Sequence, residues 1–106
     1  MSGAGVLDRL SENLIDAASA LSGCGPAFVY MFAEALADGA VKCGLSRDKA
    51  LLYAKQTIVG SGKMMLLSQK HPEQLKDEVC SPGGTTIEGV LALENGSFRH
   101  TASNAV

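Results

Sequence analysis

Apolar residues recur at three- and four-residue steps through most of the chain, which is the spacing of an amphipathic α-helix. The first run extends from Val6 to Leu21. Between Pro26 and Cys43 the polar residues Glu34, Asp38 and Lys42 follow one another at four-residue steps, and nearly every other position is apolar. Because few helices of a short chain are available to cover so apolar a helix, the pattern predicts an obligate oligomer.

Turn and cap residues separate the helical runs. The stretch Ser22-Gly23-Cys24-Gly25 predicts a break, with Pro26 at the first position of the next helix. Gly44 predicts a helix stop and Ser46 an N-cap. The remaining predicted helices span 47–69, 72–79 and 86–94. His71 is the predicted cap of the second, and Asn95-Gly96 the predicted αL stop of the third. Residues 98–106 lack a strong apolar face.

The long predicted helix contains Gly60 and Gly62, each of which costs about 1 kcal/mol relative to Ala in a helix interior. This cost indicates that the bare surface at Gly60-Ser61-Gly62 permits close backbone approach. Met64 and Met65 in the following turn are interpreted as adaptable core rather than as part of a cofactor site.

The stretch Ser81-Pro82-Gly83-Gly84-Thr85-Thr86 joins a turn to a helix start. Its proline fixes φ, and its two glycines can adopt positive φ and leave their amides uncovered. Thr85 is the expected N-cap, with Glu88 three residues later as in a capping box. Since helix N-termini attract anions, this stretch predicts a site for a small carboxylate or phosphate, with an ordinary tight turn as the alternative.

Composition narrows the class of protein. With 106 residues, 46% hydrophobic but only 5% aromatic, the chain is expected to form one all-α domain. A net charge of −2 with scattered Lys and Arg argues against nucleic-acid binding. The apolar stretch from Pro26 to Val41 is shorter than the roughly 20 residues of a membrane span, which argues against a membrane protein. Residues 1–5 are interpreted as a tag or linker remnant preceding a domain of residues 6–106.

Cysteine and histidine usage bears on compartment and chemistry. The three cysteines lack a CxxC spacing and are interpreted as free thiols in a reducing compartment, the cytoplasm, with the mitochondrion remaining open. The two histidines, His71 and His100, are far apart and have no Cys or carboxylate at ligand spacing. We therefore expect no metal site and no nucleophilic triad.

Five segments are distinctive together and in this order: LSGCGPAF at 21–28, EALADG at 34–39, KCGL at 42–45, HPEQLKD at 71–77 and SPGGTTI at 81–87. Through them, the chain from about Leu14 to Phe98 closely resembles the carboxy-terminal half of pyrroline-5-carboxylate reductase, which makes L-proline by reducing a cyclic imine. The resemblance implies an intertwined helical dimerisation domain of the 6-phosphogluconate dehydrogenase C-terminal-like type. It also implies a homodimer, with a decamer as the larger assembly found in the family.

The same resemblance implies hydride transfer from NADPH or NADH to 1-pyrroline-5-carboxylate. In the family the nicotinamide cofactor is held mainly by an amino-terminal dinucleotide-binding domain, whereas this sequence contains no strand, Gly-rich loop and helix unit of that kind. The chain is therefore interpreted as a fragment or truncated isoform that supplies half of an active site and is inactive alone. Two alternatives remain: a non-catalytic dimerisation module, and the helical domain of another dehydrogenase acting on a small carboxylate.

Site residues follow from the resemblance by position. In the family, the loop matching Gly83, Gly84 and Thr85 offers backbone amides to the substrate carboxylate, and Ser81 begins that loop. The hydroxyl matching Thr86 hydrogen-bonds the ring nitrogen, which makes Thr86 the implied catalytic residue.

Two further positions are implied on the cofactor side. Glu12 matches a position near the nicotinamide carboxamide, and Cys24 stands where the family usually has Ser. The last residues, 99–106, depart from the family's closing helix, so their conformation is expected to differ.

Overall fold

The computed structural model describes residues 11–106, which form helices joined by short turns and contain no strand. The expected all-α class is confirmed for this part of the chain. The interpretation of residues 1–5 and the predicted helix start at Val6 lie outside the described residues. The helices are α1 (Glu12–Ser19), α2 (Gly25–Lys42), α3 (Arg47–Ser68), α4 (Pro72–Val79), α5 (Thr85–Asn95) and α6 (Phe98–Ala105).

The predicted break between α1 and α2 is wrong. A π-helical turn, Ala20–Cys24, joins them, and Gly25 keeps right-handed helical dihedrals (φ −52, ψ −39). The ring of a proline inside a helix clashes with the carbonyl four residues earlier, which for Pro26 is that of Ser22. Ser22 lies within the wider π-turn, and its Oγ donates a hydrogen bond to the carbonyl of Ala18 at 2.9 Å. The helix thus accommodates the proline by widening instead of ending.

This continuity also changes the argument about membrane insertion. The uninterrupted helical run Leu14–Lys42 is 29 residues long, with a mean hydropathy of 1.3 over its most apolar stretch. By length and composition alone it could cross a bilayer, so the shortness of 26–41 no longer argues against a span. Core helices of soluble proteins, which are mostly buried, and signal sequences pass the same test, and 6% of this apolar stretch is buried among the described residues.

The first compact unit of the chain extends to Thr57 and contains the π-turn, the helices flanking it and the first part of α3. Its core consists of alanines, with Ala37 of α2 packed against Ala50 and Ala54 of α3. Between these helices Gly44 has φ +114, as a helix stop requires. Ser46 Oγ accepts a hydrogen bond from the backbone N–H of Lys49 at 3.4 Å, so the predicted N-cap is confirmed.

The second unit, Ile58–Ala105, contains the rest of α3 and the three helices that follow. The predicted cap of α4 is confirmed, because the backbone N–H of Glu73 donates to His71 Nδ1 at 3.0 Å. Residues 98–105 form α6, whose Arg99 pairs with Glu94 at 3.2 Å and with Glu73 at 3.7 Å.

The α5–α6 turn differs from prediction in one detail. Gly96 does not adopt the αL conformation (φ −87), which is found instead at Ser97 (φ 59). Gly96 continues the right-handed backbone by one residue, so the reversal falls one position later.

Large apolar side chains lie mostly on the outside of the described chain. Among the residues whose burial is described, only three alanines are buried, whereas twenty large apolar residues are exposed. A Cβ built on Gly60 or Gly62 meets nothing within 4 Å, so no described residue makes the predicted close backbone approach. Met64 and Met65 are 56% and 46% exposed, and their interpretation as core of the chain is wrong.

The alanine core leads to a stability prediction. Ala50→Leu should lower the free energy of unfolding by about 1–3 kcal/mol, because Ala50 is 1% exposed and a larger side chain forces α2 and α3 apart. Urea unfolding followed by circular dichroism measures the change. Ala35→Leu, at an exposed position of α2, is the matched control and should have a smaller effect. Equal losses from both variants would show that the alanine contact does not set the helix spacing.

Candidate functional site

The turn that precedes α5 is built by Ser81, Pro82, Gly83 and Gly84. The backbone N–H of Gly84 donates to the carbonyl of Ser81 at 3.1 Å and closes the turn. Gly83, its third residue, has φ +71, as predicted. Positive φ at the third position is the requirement of a type II β-turn, and proline is common at the second. The positive φ explains glycine at position 83, and proline at position 82 favours the same turn by fixing its own φ.

The start of α5 differs from the predicted capping box. Gly84, with an extended backbone (φ −83, ψ 174), is the N-cap, and Thr85 is the first helical residue. No side chain caps this helix end, because the residue at the cap position is glycine. Glu88 then lies in the first turn one position too late for the expected reciprocal box. The first amides of α5 consequently depend on solvent or a ligand for their hydrogen bonds.

Ser81 and Gly84 are in close contact across the turn. A Cβ added to Gly84 would lie 2.6 Å from Ser81 Oγ and 3.3 Å from the Ser81 carbonyl oxygen. Glycine at 84 thus lets the turn close under the serine side chain. The sequence predicted that this glycine could adopt positive φ and leave its amide uncovered, whereas its φ of −83 is open to any residue and the close contact with Ser81 is a steric reason for glycine.

The electrostatics of this helix start favour a small anion. Aligned peptide dipoles place partial positive charge at the amides of Thr85 and Thr86, both of which are exposed. Such a terminus stabilises an anion by about 0.3–1 kcal/mol at an exposed position. The Glu88 carboxylate, in the same first turn, is a competing negative charge. The site therefore needs further contacts to bind an anion tightly.

The five residues predicted on the substrate side lie together, whereas the two on the cofactor side do not. Glu12 opens α1 and Cys24 ends the π-turn, so they lie about 18 Å apart along one helical run at roughly 1.5 Å per residue. Both side chains are exposed and belong to the first unit, while Ser81 to Thr86 belong to the second. Within residues 11–106, no three His, Cys, Asp or Glu residues are grouped closely enough to hold a metal ion.

A groove in the second unit was not predicted from the sequence. It has a volume of about 490 Å³ and is lined mainly by α3 and α4, including Gly60, Met64, Leu75 and Val79. The lining is mostly apolar, and none of the predicted site residues contributes to it. The only sequence signal was the pairing of helix-interior glycines with methionines, which is typical of a surface that another helix approaches.

Residues 12–106 match the sequence model of a family described as pyrroline-5-carboxylate reductase dimerisation. The chain belongs to this family. A pyrroline-5-carboxylate reductase of Pisum sativum is 55% identical over 102 residues, which cover 96% of the chain and 37% of the relative. Pyrroline-5-carboxylate reductase 2 of Homo sapiens is 51% identical over 106 residues, covering all of the chain and 33% of the relative. The chain thus spans about a third of the length of these curated relatives.

Solved structures of the reductases contain the same arrangement of helices. The Plasmodium falciparum enzyme, crystallised with NADP bound, superposes with a TM-score of 0.88 at 46% identity, covering 95% of the chain and 40% of that protein. The Streptococcus pyogenes enzyme superposes with a TM-score of 0.88 at 41% identity, covering 92% and 38%. Membership in the pyrroline-5-carboxylate reductase family, expected from the five segments, is therefore confirmed.

The geometry of the turn predicts different outcomes for three glycines of the second unit. Gly83→Ala should destabilise the protein by about 1–2 kcal/mol, because alanine at φ +71 is strained. Gly84→Ala should also destabilise it, through the contact with Ser81 Oγ, and Ser81→Ala should partly relieve that loss. Gly89→Ala, inside α5 with open space around the new Cβ, should instead stabilise by up to about 1 kcal/mol. Thermal unfolding of the variants provides the comparison, and a uniform response would contradict the assigned turn.

Proposed function

We propose that this chain is the part of a pyrroline-5-carboxylate reductase that holds the substrate carboxylate and forms the dimer. The reaction is reduction of 1-pyrroline-5-carboxylate to L-proline with NADPH or NADH. The observation that carries the proposal is the glycine turn Ser81–Gly84, whose last residue is the N-cap of a helix with no side-chain cap. Family membership supplies the substrate, which is a cyclic imine bearing one carboxylate.

The substrate carboxylate is held at the beginning of α5. Its oxygens accept hydrogen bonds from the backbone amides of Thr85 and Thr86, which lack a side-chain cap, whereas the Gly84 amide is engaged with the Ser81 carbonyl. Glycine at 83 and 84 leaves this surface without Cβ atoms, so a small ligand can approach the backbone. The negative charge of Glu88 in the first turn limits affinity and suits a substrate that must leave as product.

Thr86 orients the substrate ring. Its exposed hydroxyl lies in the first turn of α5, one residue beyond Thr85, where it donates to or accepts from the ring nitrogen of a substrate anchored through its carboxylate. A threonine hydroxyl is too weak an acid to drive proton transfer, so its contribution is orientation. The nicotinamide supplies the hydride that reduces the imine carbon.

The described residues do not form a dinucleotide site of their own. They include no strand followed by a Gly-rich loop and a helix, and Glu12 and Cys24 are too far apart to hold the same ring. We assign cofactor binding mainly to the part of the relatives that this chain does not match. The NADP bound in the Plasmodium falciparum relative supports a nicotinamide cofactor for the whole enzyme.

A second copy of the chain covers the exposed apolar residues. Burying large apolar side chains is worth roughly 1.5–3 kcal/mol each, and three buried alanines supply little of that within one chain. Burial of the α3–α4 groove and of Leu66 and Leu67, both 81% exposed, would contribute most to this stabilisation. The family's description as a dimerisation domain supports a copy of the same chain as the covering partner.

Oligomerisation is tested by sedimentation velocity at micromolar concentration. The chain should sediment as a dimer or larger assembly, and Leu66→Glu with Leu67→Glu should raise the dissociation constant at least about tenfold, because buried carboxylates are costly. Gln56→Glu with Gln74→Glu adds the same charge at exposed polar positions of α3 and α4, and this control should leave the dissociation constant unchanged. A stable wild-type monomer that floats with phosphatidylcholine vesicles would contradict the proposal and favour lipid as the covering surface.

The role of Thr86 is tested in a complete pyrroline-5-carboxylate reductase carrying this sequence as its matching part. Thr86→Ala should lower kcat/KM by roughly ten- to a hundredfold, the equivalent of about 1.4–2.7 kcal/mol of lost hydrogen bonding, without changing assembly. Thr86→Ser keeps the hydroxyl and should retain most activity. Thr101→Ala, at an exposed threonine of α6, is the control. Unchanged kcat/KM in Thr86→Ala would remove Thr86 from the site, and loss of assembly would make its role structural.

A further inference from the structure

The turn between α5 and α6 contains the only Asn-Gly step in the sequence. Of three asparagines, Asn13 is followed by Leu and Asn104 by Ala, whereas Asn95 is followed by Gly96. A backbone nitrogen that follows asparagine can attack the side-chain carboxamide, and a glycine has no Cβ to obstruct the approach or restrict its backbone. The three asparagines therefore differ in intrinsic reactivity through the identity of the following residue alone.

The fold adds a second difference. Asn95 is the last residue of α5 and Gly96 its C-cap, and both are exposed. The Gly96 N–H is shared between the carbonyls of Leu93 at 3.1 Å and Ala92 at 3.3 Å, so neither hydrogen bond is strong. Ser97, directly after them, has φ 59, a conformation that costs a non-glycine residue free energy. This helix end consequently opens at lower cost than a helix interior.

Asn104 is held differently. It lies within α6, and its Nδ2 is 3.1 Å from His100 Nε2 one turn earlier. The following residue, Ala105, carries a Cβ and is itself helical. The Asn104 carboxamide thus contacts His100, and the backbone nitrogen after it is hindered by the Cβ of Ala105. Asn104 is therefore an internal control for the reactivity of Asn95.

We propose that Asn95 is a site of spontaneous deamidation. The Gly96 nitrogen attacks Cγ of Asn95 and forms a five-membered succinimide, while the carboxamide nitrogen leaves as ammonia. Water then opens the ring at either carbonyl, which gives aspartate or isoaspartate at position 95. The step needs only water and releases only ammonia, so it requires no oxidant, reductant or cofactor.

Both products disturb the turn. Each places a new carboxylate at the C-terminus of α5, where the helix dipole is already negative, and beside Glu94, which pairs with Arg99 at 3.2 Å. Isoaspartate also adds a methylene to the main chain, so the hydrogen bonds from Gly96 and Ser97 back to the last turn of α5 cannot both be kept. The modified chain should therefore unfold at a lower temperature, and the isoaspartyl form more so than Asn95→Asp.

The test follows the native wild-type chain during incubation at mildly alkaline pH and physiological temperature. Peptide mapping by mass spectrometry should find the mass gain that replaces an amide by an acid at Asn95, in two chromatographically separable forms. Asn13 and Asn104 should remain unmodified over the same period. Because this experiment uses the unaltered protein, it does not depend on a variant folding.

Two variants provide matched controls. Gly96→Ala should slow the reaction on the order of tenfold, since it restores a Cβ beside the attacking nitrogen, and Asn95→Gln should abolish it at this site. A short peptide containing Glu94 to Ser97 reports the rate without the fold. Conversion of the peptide with no modification of Asn95 in the native chain would overturn the proposal, as would equal rates at Asn95 and Asn104.

Discussion

The close packing of α2 against α3 through alanines constrains the rest of the chain. Ala37, Ala50 and Ala54 are the buried residues of this contact, and Val41 and Leu51 pack against them while remaining partly exposed. Most of the larger apolar side chains of the two helices lie outside this contact, and Tyr30 and Met31 are exposed. A core of methyl groups stabilises a helix pair only weakly, so this arrangement favours chains that gain their remaining stability from one another.

The proposed anion site depends on a different kind of constraint. The glycine turn leaves the first amides of α5 exposed. It does so through the conformation of Gly83 and the steric requirement at Gly84, neither of which depends on burial. A site of this type can form in an exposed loop of a chain with little core. Such a site binds an anion weakly, because water competes with the anion for the exposed amides and the negative charge of Glu88 repels it. A second subunit that excludes water from the loop would strengthen every contact there.

Local chemistry was the part of the fold that the sequence could predict. The left-handed stop at Gly44, the Ser46 cap and the His71 cap depend on neighbours within a few residues, and each is confirmed. The capping box was misplaced because Gly84 and Thr85 are both acceptable N-caps, and backbone closure of the preceding turn decides between them. The break at Ser22–Gly25 failed because glycine and proline permit an interruption without requiring one. The α3–α4 groove was missed because the sequence pattern does not specify the angle at which these two consecutive helices pack.

The π-turn between α1 and α2 has a geometric consequence for how this long helix meets its surroundings. A π-turn carries one residue more than an α-helical turn, so side chains after Cys24 are rotated by about 100° relative to a simple continuation of α1. An apolar stripe drawn along residues 12–19 therefore does not extend onto residues 25–42 in the same direction. The apolar patterns before and after the turn are therefore out of phase by one residue in the sequence, and removing a single residue from the turn would restore a regular α-helix with Tyr30 and Met31 still on their present side relative to α1.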